Sequence, residues 1–246
     1  MRSSRFPVAD IAFLRRAPFA HRGLHGEGVV ENSRAAFEAA IAAGHGIETD
    51  VQISQDGVAF AFHDDDLDRL TRKTGPFTDR KAKKLDAIHF KSGGETIPRL
   101  AEMLDLVAGR APLLIEIKSR NRKVKKLCRP VAEALEGYTG EVAVMSFNPE
   151  VGHWFARKAG HIVRGLVVTE QDETSLAGRL KGAVSRSASV FRARPHFLAY
   201  DIRDLPSAFA EGLRASGVPL LTWTVRSDEQ RATAAEHADQ IIYETP

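Results

Sequence analysis

The chain predicts an α/β fold, an irregular (β/α)8 TIM barrel, on three observations. Eight short β-rich runs recur along 246 residues, most of them separated by helix-sized spacers. Strands alternating with helices argue for a parallel sheet, and eight such units fill about 250 residues as a closed barrel. The polar residues inside the runs also collect at the runs' C-terminal ends, the face on which such barrels build their sites. No Pro/Ser/Gly-rich linker and no internal repeat divides the chain, so residues 1–246 read as one domain.

The elements follow in order. FAHRG (19–23) is the first run, closed by His21 and Arg22. SRAAFEAAIAAG then puts Phe37, Ala40 and Ile41 on one helical face, with Asn32 or Ser33 to cap its start and Gly44 to end it. The positive end of this helix is expected to point toward the barrel's active face. In GIETDV (46–51), the two-residue period of a strand sends Glu48 and Asp50 one way and Ile47, Thr49 and Val51 the other. Asp56-Gly57 marks a tight turn, and VAFAFHD (58–64) delivers His63. The link between these two runs is too short for a helical crossover. A ninth run, QIIY (240–243), appears at the end, so one of nine candidate strands lies outside a regular barrel or the barrel itself is irregular.

An insertion of about 65–98, rich in Thr, Lys, Asp and Gly, follows the third run, with Phe77 as its evident apolar tip. PRLAEMLDLVAG is helical by its apolar spacing, with Pro98 ahead of the first turn and Gly109 at the end. PLLIEIK (112–118) carries Glu116 and Lys118 on one face and Ile115 and Ile117 on the other. The basic run KSRNRKVKKLCR (118–129) reads as a solvated helix face or as a contact for anionic headgroups. EVAVMSF (141–147), HIVRGLVV (161–168), FLAYDI (197–202) and PLLTWTV (219–225) complete the strands.

Composition narrows the class. The chain is 43% hydrophobic and 27% charged, as in ordinary globular proteins, and its net charge of +3 favours anionic partners. A single cysteine, Cys128, excludes an internal disulfide, fits a reducing compartment and is expected to be a packing residue. The N-terminal apolar run is broken by Asp10 and stops at Arg15-Arg16, too short for a secretory segment or a membrane span. The expectation is a soluble, cytoplasmic protein.

Buried charges are retained when they are paired or bind metal. Glu48, Asp50 and Glu116 are three hard oxygen ligands that suit one divalent cation, Mg²⁺ or Ca²⁺, and no Cys/His cluster stands at zinc spacing. Arg22 and Lys118 match the charge of a phosphate, and His21 and His63 add two titratable imidazoles. The set suits attack at phosphorus.

The residues FAHRG, ENSRAAFEAA, GIETDVQISQDG, FHDDDLDRLTRKTG, TIPRLAEML, LLIEIK, SF at 146–147 and TWTVR occur in the order found in glycerophosphodiester phosphodiesterases, and the chain resembles that family. The resemblance implies an irregular barrel with an insertion after His63. It implies a divalent cation on Glu48, Asp50 and Glu116, acid–base work by His21 and His63, and phosphate contacts from Arg22 and Lys118. The reaction implied is hydrolysis of a glycerophosphodiester to an alcohol and glycerol 3-phosphate, with His63 favoured as base and His21 as acid. Trp223 is either a pocket wall for the substrate's carbons or a core residue. Small water-soluble substrates are expected, with neither nucleic acid nor stable membrane insertion. A lysophospholipase D-like activity is the alternative enzyme, and a non-catalytic basic nucleic-acid-binding barrel the alternative of another class. Three departures from the family pattern stand out: LHGEGVVENS after HRG, Arg226 where Asn is common after TWTV, and Tyr243-Glu244-Thr245-Pro246 where Thr-Asp-x-Pro is usual.

Overall fold

The computed structural model describes residues 10–119, 121–171 and 176–245. In chain order the elements are β1 (Phe19–Ala20), α1 (Arg34–Ala42), β2 (Gly46–Ile53), β3 (Ala59–Ala61), α2 (Ala82–Leu85), α3 (Leu100–Val107), β4 (Leu113–Ile117), α4 (Lys125–Ala134), β5 (Val142–Ser146), α5 (Pro149–Lys158), β6 (Val163–Val168), α6 (Leu176–Ala193), β7 (Phe197–Asp201), α7 (Ala208–Ala215), β8 (Leu220–Val225), α8 (Asp228–His237) and β9 (Gln240–Tyr243). All strands but β3 form a closed parallel barrel in the order β1-β2-β4-β5-β6-β7-β8-β9, with β9 returning to β1. The ninth run, QIIY, therefore closes the barrel. The strand left outside is β3, which folds back antiparallel on the end of β2, pairing Ala61 with Val51 and Ala59 with Ile53. No helix among the described residues is long and apolar enough to cross a membrane.

The two-residue period of the strands splits the apolar residues into two sets. Ile47, Leu113, Val144, Leu166, Leu198 and Leu220 pack outward against the helices. Phe19, Leu114, Ala143, Val163, Phe197, Leu221 and Ile242 fill the barrel interior, joined at its N-terminal end by Phe13 and Leu14. Two aromatic rings fit inside only because glycines face them. A Cβ on Gly46 would lie 2.4 Å from the Phe19 ring, and one on Gly165 2.3 Å from the Phe197 ring. Higher in the same columns the inward residues turn polar. Glu48 and Asp50 follow Gly46, Glu116 and Lys118 follow Leu114, Asp201 follows Phe197, and Glu244 follows Ile242.

Outside the barrel, Phe60 and Phe62 on either side of Ala61 need their own cover. The insertion supplies it with Leu67, Phe77, Leu85, Ile88, Phe90 and Ile97. Phe77, expected as an exposed tip, is completely buried; its ring stacks on Phe62 at 5.1 Å and meets Phe60 edge-on at 6.0 Å. Cys128 is buried as a packing residue, and burial pushes its thiol up to about 12.

Overpacking at the barrel floor provides a test. Gly165→Ala is expected to destabilise the fold by about 1–3 kcal/mol through the clash with Phe197, lowering Tm by about 2–12 °C. Gly212→Ala, in α7 with open space around it, should leave Tm unchanged or raise it slightly. Thermal melts of the two variants against the parent check the contrast.

Candidate active site

Strands β2 and β4 run side by side with Glu48 opposite Leu114 and Asp50 opposite Glu116. This register, with the inward period of both strands, brings carboxylate oxygens of Glu48, Asp50 and Glu116 within 4.8 Å of one another. Glu48 and Asp50 are each only 1% exposed. Two cations answer them. Lys118 Nζ lies 2.7 Å from Asp50 Oδ1 and 2.8 Å from Glu116 Oε1, and Arg22 Nε lies 3.2 Å from Asp50 Oδ2. The left-handed backbone of Arg22 (φ 58°) also aims its N–H at Glu48 Oε2, 3.0 Å away. The Asn32 side-chain amide donates to Asp50 Oδ2 at 3.2 Å and accepts from the Thr49 hydroxyl at 2.7 Å.

These contacts do not balance the charge evenly. Burial would raise Asp50, but Lys118 and Arg22 outweigh it and hold the carboxyl below its usual range. Glu48 is pushed well above the usual range by burial and by the Asp50 and Glu116 carboxylates. Glu116 is raised by burial against the pull of Lys118. The Glu48, Asp50 and Glu116 cluster, whose own cations leave it under-neutralised, could hold a hard divalent cation.

Both predicted histidines flank this cluster, and each is tethered through Nδ1. His21 Nδ1 lies 2.5 Å from Glu244 Oε1, which leaves Nε2 3.9 Å from Glu48 Oε2. Burial lowers the proton affinity of His21, partly opposed by the bond to Glu244. His63 Nδ1 lies 2.7 Å from Asp64 Oδ1. His63 does not reach the site as the end of a barrel strand. It arrives because β3 doubles back: the Phe62 amide donates to the Asp50 carbonyl at 3.0 Å, and Gln52 Nε2 donates to the His63 carbonyl at 3.1 Å. Asp64 is gripped by Arg69 at 2.6 and 2.8 Å, Arg69 forks onto Glu31 at 2.7 Å, and Glu31 accepts from Arg22 Nη1 at 2.7 Å. A continuous ionic chain thus joins the second histidine to the carboxylate cluster.

His21, Arg22, Glu48, His63, Glu116 and Lys118 line a cavity of about 360 Å³ together with Phe147, Trp223 and others. Trp223 is a pocket wall. Its Nε1 donates to the Ala199 carbonyl at 2.9 Å, and Phe147 meets its ring edge-on at 5.4 Å. The structure thus gathers His21, Arg22, Glu48, His63, Glu116, Lys118 and Trp223 around one cavity, with Asp50 behind Lys118 and Arg22.

One expectation fails. The amino end of α1 does not serve the cavity, because Glu95 of the insertion accepts from the Arg34 and Ala35 amides at 3.0 and 3.1 Å. Ser33, rather than Asn32, caps the helix, its hydroxyl accepting from the Ala36 amide at 3.1 Å. Asn32 adopts a left-handed turn (φ 55°) that carries its side chain to Asp50 instead. Sequence reasoning also passed over the supports Glu31, Asp64 and Glu244. Only Glu244 carried a signal, since it continues the inward period of Ile242.

Comparison with known proteins places this arrangement. The profile of the glycerophosphoryl diester phosphodiesterase family matches residues 21–244. A glycerophosphodiester phosphodiesterase of Caldanaerobacter subterraneus is 32% identical over 92% of this chain and 93% of its own length. Another, from Bacillus altitudinis, is 41% identical over 53% of this chain and 57% of its own. Among solved structures, an Oleispira antarctica phosphodiesterase in complex with the product sn-glycerol-3-phosphate superposes with a TM-score of 0.79 at 20% identity, covering 94% of this chain and 93% of that one. A Thermotoga maritima glycerophosphodiester phosphodiesterase gives 0.72 at 24%, covering 93% and 94%. The family profile spans the chain from the first histidine to the carboxylate that tethers it, and the chain belongs to the glycerophosphoryl diester phosphodiesterase family.

Proposed function

We propose that this chain hydrolyses glycerophosphodiesters to an alcohol and glycerol 3-phosphate with a divalent cation on Glu48, Asp50 and Glu116. Family membership supports the coarse activity. The observation that carries the mechanism is the placement of two imidazoles, each with Nδ1 on a carboxylate, beside three buried carboxylates in one cavity. When bound, the cation supplies positive charge to the phosphodiester's non-bridging oxygens and lowers the pKa of a neighbouring hydroxyl. Arg22 and Lys118 remain at the cluster's edge to meet the remaining phosphate charge.

Proton transfer falls to the histidines. One takes the proton of the attacking oxygen, and the other gives a proton to the departing alkoxide, contributing about 10²–10⁴-fold. His21 donates from Nδ1 to Glu244 and His63 from Nδ1 to Asp64, so each imidazole keeps Nε2 for proton transfer. His63 acts as base in the first step and His21 as acid, the assignment favoured by resemblance. Trp223 and Phe147 form an apolar wall for the substrate's carbon atoms. The carboxylate trio also opposes the nucleic-acid reading, since it repels phosphate unless a cation intervenes.

Four outcomes test the proposal. Exhaustive chelation should abolish release of glycerol 3-phosphate, and re-addition of Mg²⁺ or Ca²⁺ should restore it. Glu48→Gln should lose both that activity and the rise in Tm that the cation gives the parent. His21→Ala and His63→Ala should each lower kcat by at least about 10²-fold with folding intact, and the double variant should be little worse than either. Near-normal kcat in a single variant removes that residue from the mechanism. Finally, glycerophosphocholine or glycerophosphoethanolamine should exceed a lysophospholipid in kcat/KM, measured below the lipid's micellar concentration. A lysolipid preference of about tenfold, or 1.4 kcal/mol, would point to lysophospholipase D-like chemistry.

A further inference from the structure

Two of the three departures from the family pattern, Arg226 and Glu244, touch each other. They stand just beyond the ends of β8 and β9, where the Glu244 amide donates to the Val225 carbonyl at 3.1 Å. Arg226 Nε donates to Glu244 Oε2 at 2.6 Å, and the other oxygen of that carboxylate lies 2.5 Å from His21 Nδ1. A third neighbour, His25, keeps its Nε2 4.0 Å from Glu244 Oε1. We propose that Arg226 and Glu244 act as a brace for His21: Glu244 fixes the imidazole proton on Nδ1, so that Nε2 is the nitrogen presented to the cavity, and Arg226 locks the carboxylate in the orientation that does this. Both are positioning residues, and the inference rests on the assignment of His21 to proton transfer.

The chemistry is that of a neutral imidazole, which has one N–H and one lone pair. With a carboxylate at Nδ1, the tautomer with the proton on Nε2 would set a lone pair against a negative oxygen, so the Nδ1–H form is selected. A glutamate has one more rotatable bond than an aspartate and must be held from a second side to offer a fixed oxygen. Arg226 supplies that hold. Its side chain is 55% exposed while that of Glu244 is 18% exposed, so the arginine reaches in from the rim to the carboxylate. The two departures are thus coupled: the longer acid needs the longer base. Asp at 244 alone falls short of His21, and Asn at 226 alone leaves the glutamate unheld.

Nitrogen-15 spectra of the full chain labelled in histidine, without added metal, test this apart from turnover, with the His21 signals assigned by their absence in His21→Gln. The parent should carry its His21 proton on Nδ1. Glu244→Gln and Arg226→Asn should each redistribute it between the two nitrogens. In assays with the cation present, Glu244→Gln should lower kcat at least about tenfold and Arg226→Asn about three- to tenfold, with KM within about twofold. The double variant Arg226→Asn with Glu244→Gln should lose less than the product of the two single losses. An unchanged tautomer in both single variants, losses confined to KM, or strictly multiplicative losses would overturn the brace. A parent that turns over no glycerophosphodiester, yet shows the tautomer shifts, would overturn the proposed reaction and leave the brace standing.

Discussion

Three carboxylates held within 4.8 Å of one another inside a protein repel, and much else in this barrel is arranged around that repulsion. Leaving such groups unpaired is strongly destabilising, whereas pairing them with cations and hydrogen bonds offsets the loss of water. Lys118 bridges two of them from the same strand edge, and Arg22 adopts a left-handed backbone to serve two at once, by guanidinium and by amide. Arg22 is itself steadied by Glu31, Glu31 by Arg69, and Arg69 by Asp64. The ionic chain ends on His63, so the electrostatics that make the cluster tolerable also orient a histidine.

The strand period explains how a folded core and a charged site share one set of strands. The inward columns of β2, β4, β7 and β9 begin low in the barrel with small or apolar residues and end in charged ones, as in Gly46, Glu48 and Asp50 or Leu114, Glu116 and Lys118. The exception to the pattern is informative. Strand β3 does not belong to the barrel, and its aromatic residues would lie open without the insertion that covers them. The insertion therefore serves the fold itself, burying Phe60 and Phe62 and, through Glu95, closing the amino end of α1.

Much of the site was legible because it depends on local periodicity. Glu48 with Asp50, and Glu116 with Lys118, share a face by virtue of spacing alone, and strands alternating with helices brought those faces together. What escaped was set by long-range pairing. Glu244 meets His21 across 223 positions, and Glu95 meets Arg34 across 61. Nothing local marks Phe77 as buried, since a polar, charged stretch surrounds it and its partners are the aromatics of β3. Which run lay outside the barrel was likewise a matter of strand pairing. The direct link from β2 to β3 announced an irregularity, while only the pairing of β9 with β1 shows which strand closes the ring.

The crowded floor of the barrel has a consequence for traffic. Phe19 and Phe197 occupy the space that Gly46 and Gly165 leave, with Phe13 and Leu14 beneath them, so the barrel interior below the cavity is packed rather than open. A molecule that enters by the His21 and Trp223 mouth does not leave through the floor. Arrival and departure therefore both take place on the strand-end side of the barrel, where the charged residues stand.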